Sequence, residues 1–153
     1  MLYLLLKFVH VLGVVLLIGN VTITAVWKIF ADKTRNVFTV KFAQKLVIEA
    51  DWAFTVPGIV LIAFGGYGMA YVANIGLTTT PWLLWGQICF LLSGMMWLCI
   101  LVPLQTVQYR LSKKFGENDI PERYWRLGHL WLVWGVLATL PLLVAMYFMV
   151  TKA

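Results

Sequence analysis

Three long stretches of the chain contain no aspartate, glutamate, lysine or arginine, and they dominate its pattern of apolar and polar positions. They run from Phe8 to Trp27, from Trp52 to Tyr109 and from Leu127 to Thr151. A helix that crosses a bilayer needs about 20 apolar residues at about 1.5 Å each, so the middle stretch is long enough to cross twice. A turn at 74–81, which contains a glycine and ends in a proline, separates these two crossings. The pattern predicts spans near 4–28, 50–73, 82–107 and 127–150.

These spans predict an all-α protein, a membrane-spanning four-helix bundle that forms one domain over residues 1–153. Only 12% of the residues are charged, whereas soluble domains usually contain about 25%. Pro57, Pro103 and Pro141 fall inside predicted spans, and each is expected to kink its helix. The first residues lack a basic leader and a cleavage pattern, so we expect the first span to be retained.

The basic residues predict the orientation of the bundle. Ten of the twelve lie next to two connections: Lys28, Lys33, Arg35, Lys41 and Lys45 follow the first span, and Arg110, Lys113, Lys114, Arg123 and Arg126 separate the third from the fourth. Lysine and arginine accumulate on the cytoplasmic side of short loops. We therefore expect a multi-pass membrane protein whose two basic connections face the cytoplasm and whose two termini face outward. The net charge of +6 indicates contact with the lipid bilayer, anionic lipids included, and not with nucleic acid.

His10 is the residue that most strongly suggests chemistry. It lies inside the first span, one helical turn after Lys7, and an ionisable residue at such a depth usually faces the interior of a bundle. One interpretation is a neutral histidine that is hydrogen-bonded to a neighbouring helix. The other is an axial ligand to the iron of a b-type heme, with Lys7 near a propionate. Met69 and Met146 are then the best candidates for a sixth ligand, although a five-coordinate iron and ordinary core packing of the methionines are both open.

Other residues allow two interpretations each. Gly65, Gly66 and Gly68 permit either close helix packing or room for a flat cofactor. Glu49 and Asp51 are expected to form boundary ion pairs with Lys28, Lys45 or Arg126, and the alternative is a role in proton uptake. His129 lies about 20 Å or more from His10 in depth and is expected to be interfacial, and the alternative is a second heme at the inner face. Met95 and Cys99 share a helix face, which leaves a copper relay open. The uncharged polar residues of the spans outline no obvious path through the bundle.

Four segments carry a resemblance to a known family: residues 4–13 (LLLKFVHVLG), 19–27 (GNVTITAVW), 50–58 (ADWAFTVPG) and 124–127 (YWRL). They resemble a bacterial family of uncharacterised four-helix integral membrane proteins, domain of unknown function 2269. The resemblance covers essentially the whole chain and implies an architecture without an established activity.

The first half is also similar, more distantly, to the heme-containing bacterial protoporphyrinogen oxidase and to copper-resistance membrane domains. These proteins share the Lys-x-x-His opening seen at Lys7 and His10. In the oxidase this histidine ligates heme, and the likeness implies that role for His10. The oxidase also uses a lysine early in its third helix. The predicted third helix of this chain contains no lysine, and the first basic residue after the 74–81 turn is Arg110.

Together these features favour an integral inner-membrane protein that binds heme b through His10 near its periplasmic face. It would exchange electrons with a quinone or a periplasmic redox partner, and it could be a heme-dependent membrane oxidoreductase. The alternative is a non-enzymatic accessory or structural membrane protein without a cofactor. A small permease or copper handler is a third class. Whether the chain forms a homo-oligomer is left open.

Overall fold

The computed structural model describes residues 1–116 and 119–152, and it confirms the all-α prediction. These residues contain four helices: α1 (Leu2–Thr34), α2 (Val37–Val72), α3 (Pro81–Ser112) and α4 (Glu122–Thr151). Each is long and apolar enough to cross a membrane. Every helix extends beyond its predicted span at the end that carries the basic residues, because the basic and amphipathic flanks continue the same helical turns past the apolar core of the segment.

The ends of the helices follow from local chemistry. Only Arg35 and Asn36 separate α1 from α2. Arg35 adopts the left-handed conformation that ends α1, with φ 51°, and the Asn36 side chain accepts a hydrogen bond from the backbone N–H of Thr39, 3.0 Å away, which caps α2. Pro81 is the first residue of α3. A backbone N–H at this position has no acceptor within the helix, so a proline costs no hydrogen bond there.

Two prolines are preceded by a wide helical turn. Residues Asp51–Thr55 in α2 and Trp97–Leu101 in α3 form π-helical segments, and Pro57 and Pro103 follow them. A proline inside an α-helix cannot donate to the carbonyl four residues back and its ring clashes with it. The wider π turn gives the proline ring room and removes the clash. At Pro57 and Pro103 the helix is therefore disturbed by a π segment. Pro141, in contrast, lies inside the uninterrupted α-helix of α4.

The four helices form two antiparallel hairpins. The Val56–Val72 part of α2 packs along α1, and the Pro81–Met96 part of α3 packs along α4. We call the end that carries the 35–36 and 113–121 connections the basic end. The opposite end carries both termini and the 73–80 loop, and we call it the terminal end.

Glycines bring α1 and α2 into backbone contact. A Cβ atom built on Gly65 would lie 2.7 Å from both the carbonyl oxygen of Leu6 and the backbone nitrogen of His10. A Cβ on Gly13 would lie 2.8 Å from the carbonyl oxygen of Gly58. No side chain fits at these distances, so close helix packing explains the glycines of α2, and the space that a flat cofactor would need beside Gly65 is filled by α1.

The two hairpins meet mainly at the basic end. There Val37–Ala50 of α2 packs on Val102–Ser112 of α3. Toward the terminal end, in contrast, no Cα atom of Val56–Val72 lies within 8 Å of a Cα atom in α3 or α4, among the residues described. Between the hairpins, at mid-depth, lies an apolar cavity of about 270 Å³ that includes Leu17, Thr55 and Ser93 in its wall.

Candidate functional site

His10 lies on the buried stripe of α1. Its neighbours three and four residues away, Gly13 and Leu6, are both buried, and the stripe continues toward the basic end through Leu17 and Asn20. The imidazole Nδ1 lies 2.8 Å from the carbonyl oxygen of Ile62 in α2. A carbonyl oxygen can only accept, so Nδ1 donates the hydrogen in this bond, and in the neutral form of the ring Nε2 is the nitrogen with the lone pair. The predicted hydrogen bond to a neighbouring helix is therefore present, and it leaves one ring nitrogen able to bind a metal.

Gly66 lies directly against the imidazole of His10. A Cβ atom on Gly66 would lie 3.1 Å from Nδ1 and 3.2 Å from Cε1 of His10. A Cβ atom here would require the imidazole to shift by a few tenths of an ångström. The sequence signal for this contact was the pair of glycines in α2 together with the histidine in α1.

The other residues predicted around His10 are dispersed. Lys7 is exposed and Met69 is half-buried on the helix that packs against α1. Met146 is 44% exposed and belongs to α4, in the other hairpin. In the part of the chain that the structure describes, no three His, Cys, Asp or Glu side chains cluster so as to hold a metal ion. A sixth ligand at Met69 or Met146 therefore stays a prediction.

The expected boundary ion pairs are right for Glu49 and wrong for Asp51. Glu49 pairs with Lys45 at 3.3 Å, and both side chains are more than half exposed. Asp51 lies two residues further along, on the opposite face of α2, and is 8% exposed. Its carboxylate accepts hydrogen bonds from three uncharged groups: Thr55 Oγ1 at 2.8 Å, Asn20 Nδ2 at 3.2 Å and Gln105 Nε2 at 2.8 Å. Burial inside the bundle explains the difference, because the predicted lysine partners point elsewhere.

Lys28 and Asp32 form a second buried polar cluster closer to the basic end. Lys28 Nζ lies 3.0 Å from Asp32 Oδ2 and 3.0 Å from the hydroxyl of Tyr124 in α4. The Tyr124 hydroxyl also lies 3.2 Å from Gln44 Oε1. Gln44 Nε2 in turn donates to the backbone oxygen of Gln105 at 3.1 Å. This last bond joins the Lys28 cluster to the Asp51 cluster.

We call the joined set the buried polar network, and side chains from all four helices belong to it. Its members are Asn20, Lys28, Asp32, Gln44, Asp51, Thr55, Gln105, Tyr124 and Trp131, the last of which donates to Gln105 Oε1 at 3.2 Å. The network spans the junction between the hairpins. Each member is hydrogen-bonded to another, and most of them are buried, so the network holds the hairpins in one register.

A model of the family described as "Predicted integral membrane protein (DUF2269)" matches residues 4–153. The chain belongs to this family. The resemblance inferred from its four sequence segments is thereby confirmed, and the four apolar helices are those of an integral membrane protein. Neither a curated protein nor a solved structure matches this DUF2269 chain.

Sequence reasoning treated the polar residues of this DUF2269 protein as scattered, yet their spacing contained a signal. Asn20, Thr24 and Lys28 follow one another at intervals of four, which places them on one face of α1. Asp51 and Thr55 have the same interval in α2. Polar side chains that share a face inside a span are expected to meet partners on another helix. That rule points to the buried polar network, although it does not say which helix supplies the partners.

Proposed function

We propose that this membrane protein binds one b-type heme near the terminal end of the bundle, with Nε2 of His10 as an axial ligand to the iron. The observation that carries the proposal is the 2.8 Å hydrogen bond from His10 Nδ1 to the carbonyl oxygen of Ile62. Histidines that bind metals typically donate their other ring N–H to a carbonyl or carboxylate oxygen, which fixes the ring and its tautomer. His10 has that arrangement.

The surroundings of His10 limit where a heme could lie. Backbone contact through Gly65 closes the space between α1 and α2, so the macrocycle would have to approach from another side of α1. The hairpins lack close contact between Val56–Val72 and α3 or α4, and that separation offers the route. Lys7 would suit a propionate, and Met69 or Met146 would supply a thioether. The heme would provide the one-electron chemistry, while the protein holds the iron and excludes water.

We further propose that the basic end faces the cytoplasm of a bacterial cell, which places the termini and His10 toward the periplasmic side. Lys33 and Arg35 lie beside one connection of the basic end, and Lys113 and Lys114 lie beside the other. A heme at His10 would then exchange electrons with a quinone in the membrane or with a periplasmic partner. A cysteine introduced at Thr79 should be labelled by a membrane-impermeant reagent in intact cells, and a cysteine that stays unlabelled until the membrane is permeabilised would contradict this orientation.

The test of heme binding is an absorption spectrum of the detergent-purified chain, oxidised and reduced, after expression with adequate heme. We expect a Soret band in the wild type and in the His129→Ala control, and no band in His10→Ala. A Met69→Leu or Met146→Leu variant that changes the reduced spectrum would identify the sixth ligand. A wild-type protein without a Soret band, or a band that survives His10→Ala, would contradict the proposal.

A second candidate is a non-enzymatic accessory or structural membrane protein without a cofactor. The observation that favours it is the same contact: His10 already has a partner in α2, so the imidazole can serve helix packing alone. Under this hypothesis His10→Ala weakens the α1–α2 contact while the wild type has no chromophore. A stable partner that copurifies with a colourless wild-type chain would support this candidate over the heme protein.

A further inference from the structure

A pocket of about 430 Å³ opens at the basic end, between the end of α1 and the beginning of α4. Its polar wall consists of Lys28, Asp32, Lys33, Arg35 and His129, together with the indole of Trp125. The apolar side chains of Ile29 and Leu132 line the same pocket. The pocket therefore combines cationic groups with an apolar surface at a point where a long apolar helix pair ends.

The pocket carries an excess of positive charge. Lys28 is neutralised by Asp32, which lies 3.0 Å from its Nζ. Lys33 and Arg35 have no such partner, because no carboxylate of the described chain lies within 4.0 Å of either side chain. Two cations and one histidine thus remain for a ligand. An anion with several oxygen atoms suits them, since arginine binds phosphate through two parallel hydrogen bonds.

Aromatic contacts orient these cations. The Arg35 guanidinium lies over the Trp125 ring, 5.1 Å from its centroid, and the Lys33 ammonium lies 5.5 Å from the centroid of Phe30. Cations stacked on aromatic rings lose part of their freedom before any ligand binds. Gly128, also in the wall, adds no side chain, so the opening reaches inward as far as Lys28 and Asp32.

We propose that this pocket binds the phosphate-bearing headgroup of an anionic phospholipid from the leaflet at the basic end. A lipid is favoured over a free phosphate ion because the pocket joins its cations directly to apolar Ile29 and Leu132. The first acyl carbons can continue from the pocket along α1 and α4, where Val26, Phe30 and Leu130 are exposed. Such a bound lipid would bridge the two hairpins at their junction.

The test measures lipid binding to the full-length, detergent-purified chain by native mass spectrometry, with phosphatidylglycerol and phosphatidylcholine of the same acyl chains. We expect phosphatidylglycerol to bind more tightly than phosphatidylcholine. A Lys33→Gln/Arg35→Gln variant should lose about tenfold or more of that affinity, because each basic residue near a membrane surface attracts anionic lipid measurably. Far-UV circular dichroism verifies that the variant is folded.

The matched control is Lys113→Gln/Lys114→Gln, which removes the same charge from the other basic connection and leaves the pocket intact. It should bind phosphatidylglycerol like the wild type. An equal loss in both double variants would overturn the proposal, since it would indicate only general attraction to a basic surface. Equal binding of the two lipids would also overturn it. Displacement of phosphatidylglycerol by millimolar inorganic phosphate would show a free-anion site and overturn the assignment to lipid.

Discussion

Gly65 offers the sharpest test of the α1–α2 contact, through the substitution Gly65→Ala. The new Cβ atom would lie 2.7 Å from both Leu6 O and His10 N, which is 0.7 Å short of the 3.4 Å at which ordinary contact begins. Both atoms are backbone, so no side chain can rotate away and the helices must separate. Overpacking a close contact costs about 1–3 kcal/mol, and we expect a value near the upper limit.

The control for this prediction is Gly19→Ala, since a Cβ atom on Gly19 would meet nothing within 4 Å. Alanine favours a helix over glycine by about 0.5–1 kcal/mol, so this variant should be neutral or slightly more stable. The free energy of unfolding can be measured for both variants in mixed micelles by titration with sodium dodecyl sulfate, followed by circular dichroism. If Gly65→Ala unfolds within about 0.5 kcal/mol of Gly19→Ala, the backbone contact is not as close as described.

Three further predictions concern buried polar groups and use the same unfolding titration. Asp51→Asn should lower the free energy of unfolding by about 1–3 kcal/mol, because the new amide N–H₂ would face groups that donate to the carboxylate in the wild type. Its control is Glu49→Gln, which alters an exposed pair and should change the free energy of unfolding by less than about 0.5 kcal/mol. Lys28→Met should lower the free energy of unfolding by about 2 kcal/mol, less than the roughly 3–5 kcal/mol typical of a fully buried pair, because Asp32 loses its cation but its side chain is 22% exposed. The same change at exposed Lys45 should be nearly neutral, and equal losses in the two variants would contradict this prediction. Gln108→Leu should stabilise the protein by about 1 kcal/mol, because both amide atoms are buried without a hydrogen-bond partner in the described chain; a large loss would indicate a partner.

The sequence predicted the helices well, because a span leaves a strong and simple signal. The uncharged stretch from Trp52 to Tyr109 had to contain two crossings, and α2 and α3 are these crossings. The helix ends were harder. The basic flank after Trp27 continues α1 as far as Thr34, and only Asn36, with its cap on Thr39, marks where α2 begins. Hydropathy does not detect such a short break.

The candidate site was predictable only in part. His10 and the glycines of α2 could be recognised separately, and their contact follows from small residues that bring helices together. The partners of Asp51 could not be derived, because an ion pair and a set of uncharged donors are equally compatible with one carboxylate near a boundary. The choice depended on which face of α2 turns inward at the π segment Asp51–Thr55. A π turn contains one extra residue and so changes which face turns inward. Pro57 is the only feature of the sequence that we recognised as a sign of this π turn.

Because the hairpins are tied to each other through the buried polar network at one end, each behaves geometrically as a lever with its pivot there. The Val56–Val72 segment contains 17 residues and is therefore about 25 Å long. A tilt of about 5° at the pivot would displace its tip by about 2 Å at that helical rise. A small change in the angle between the hairpins would thus become a larger displacement of His10 and Val56–Val72 relative to α3 and α4.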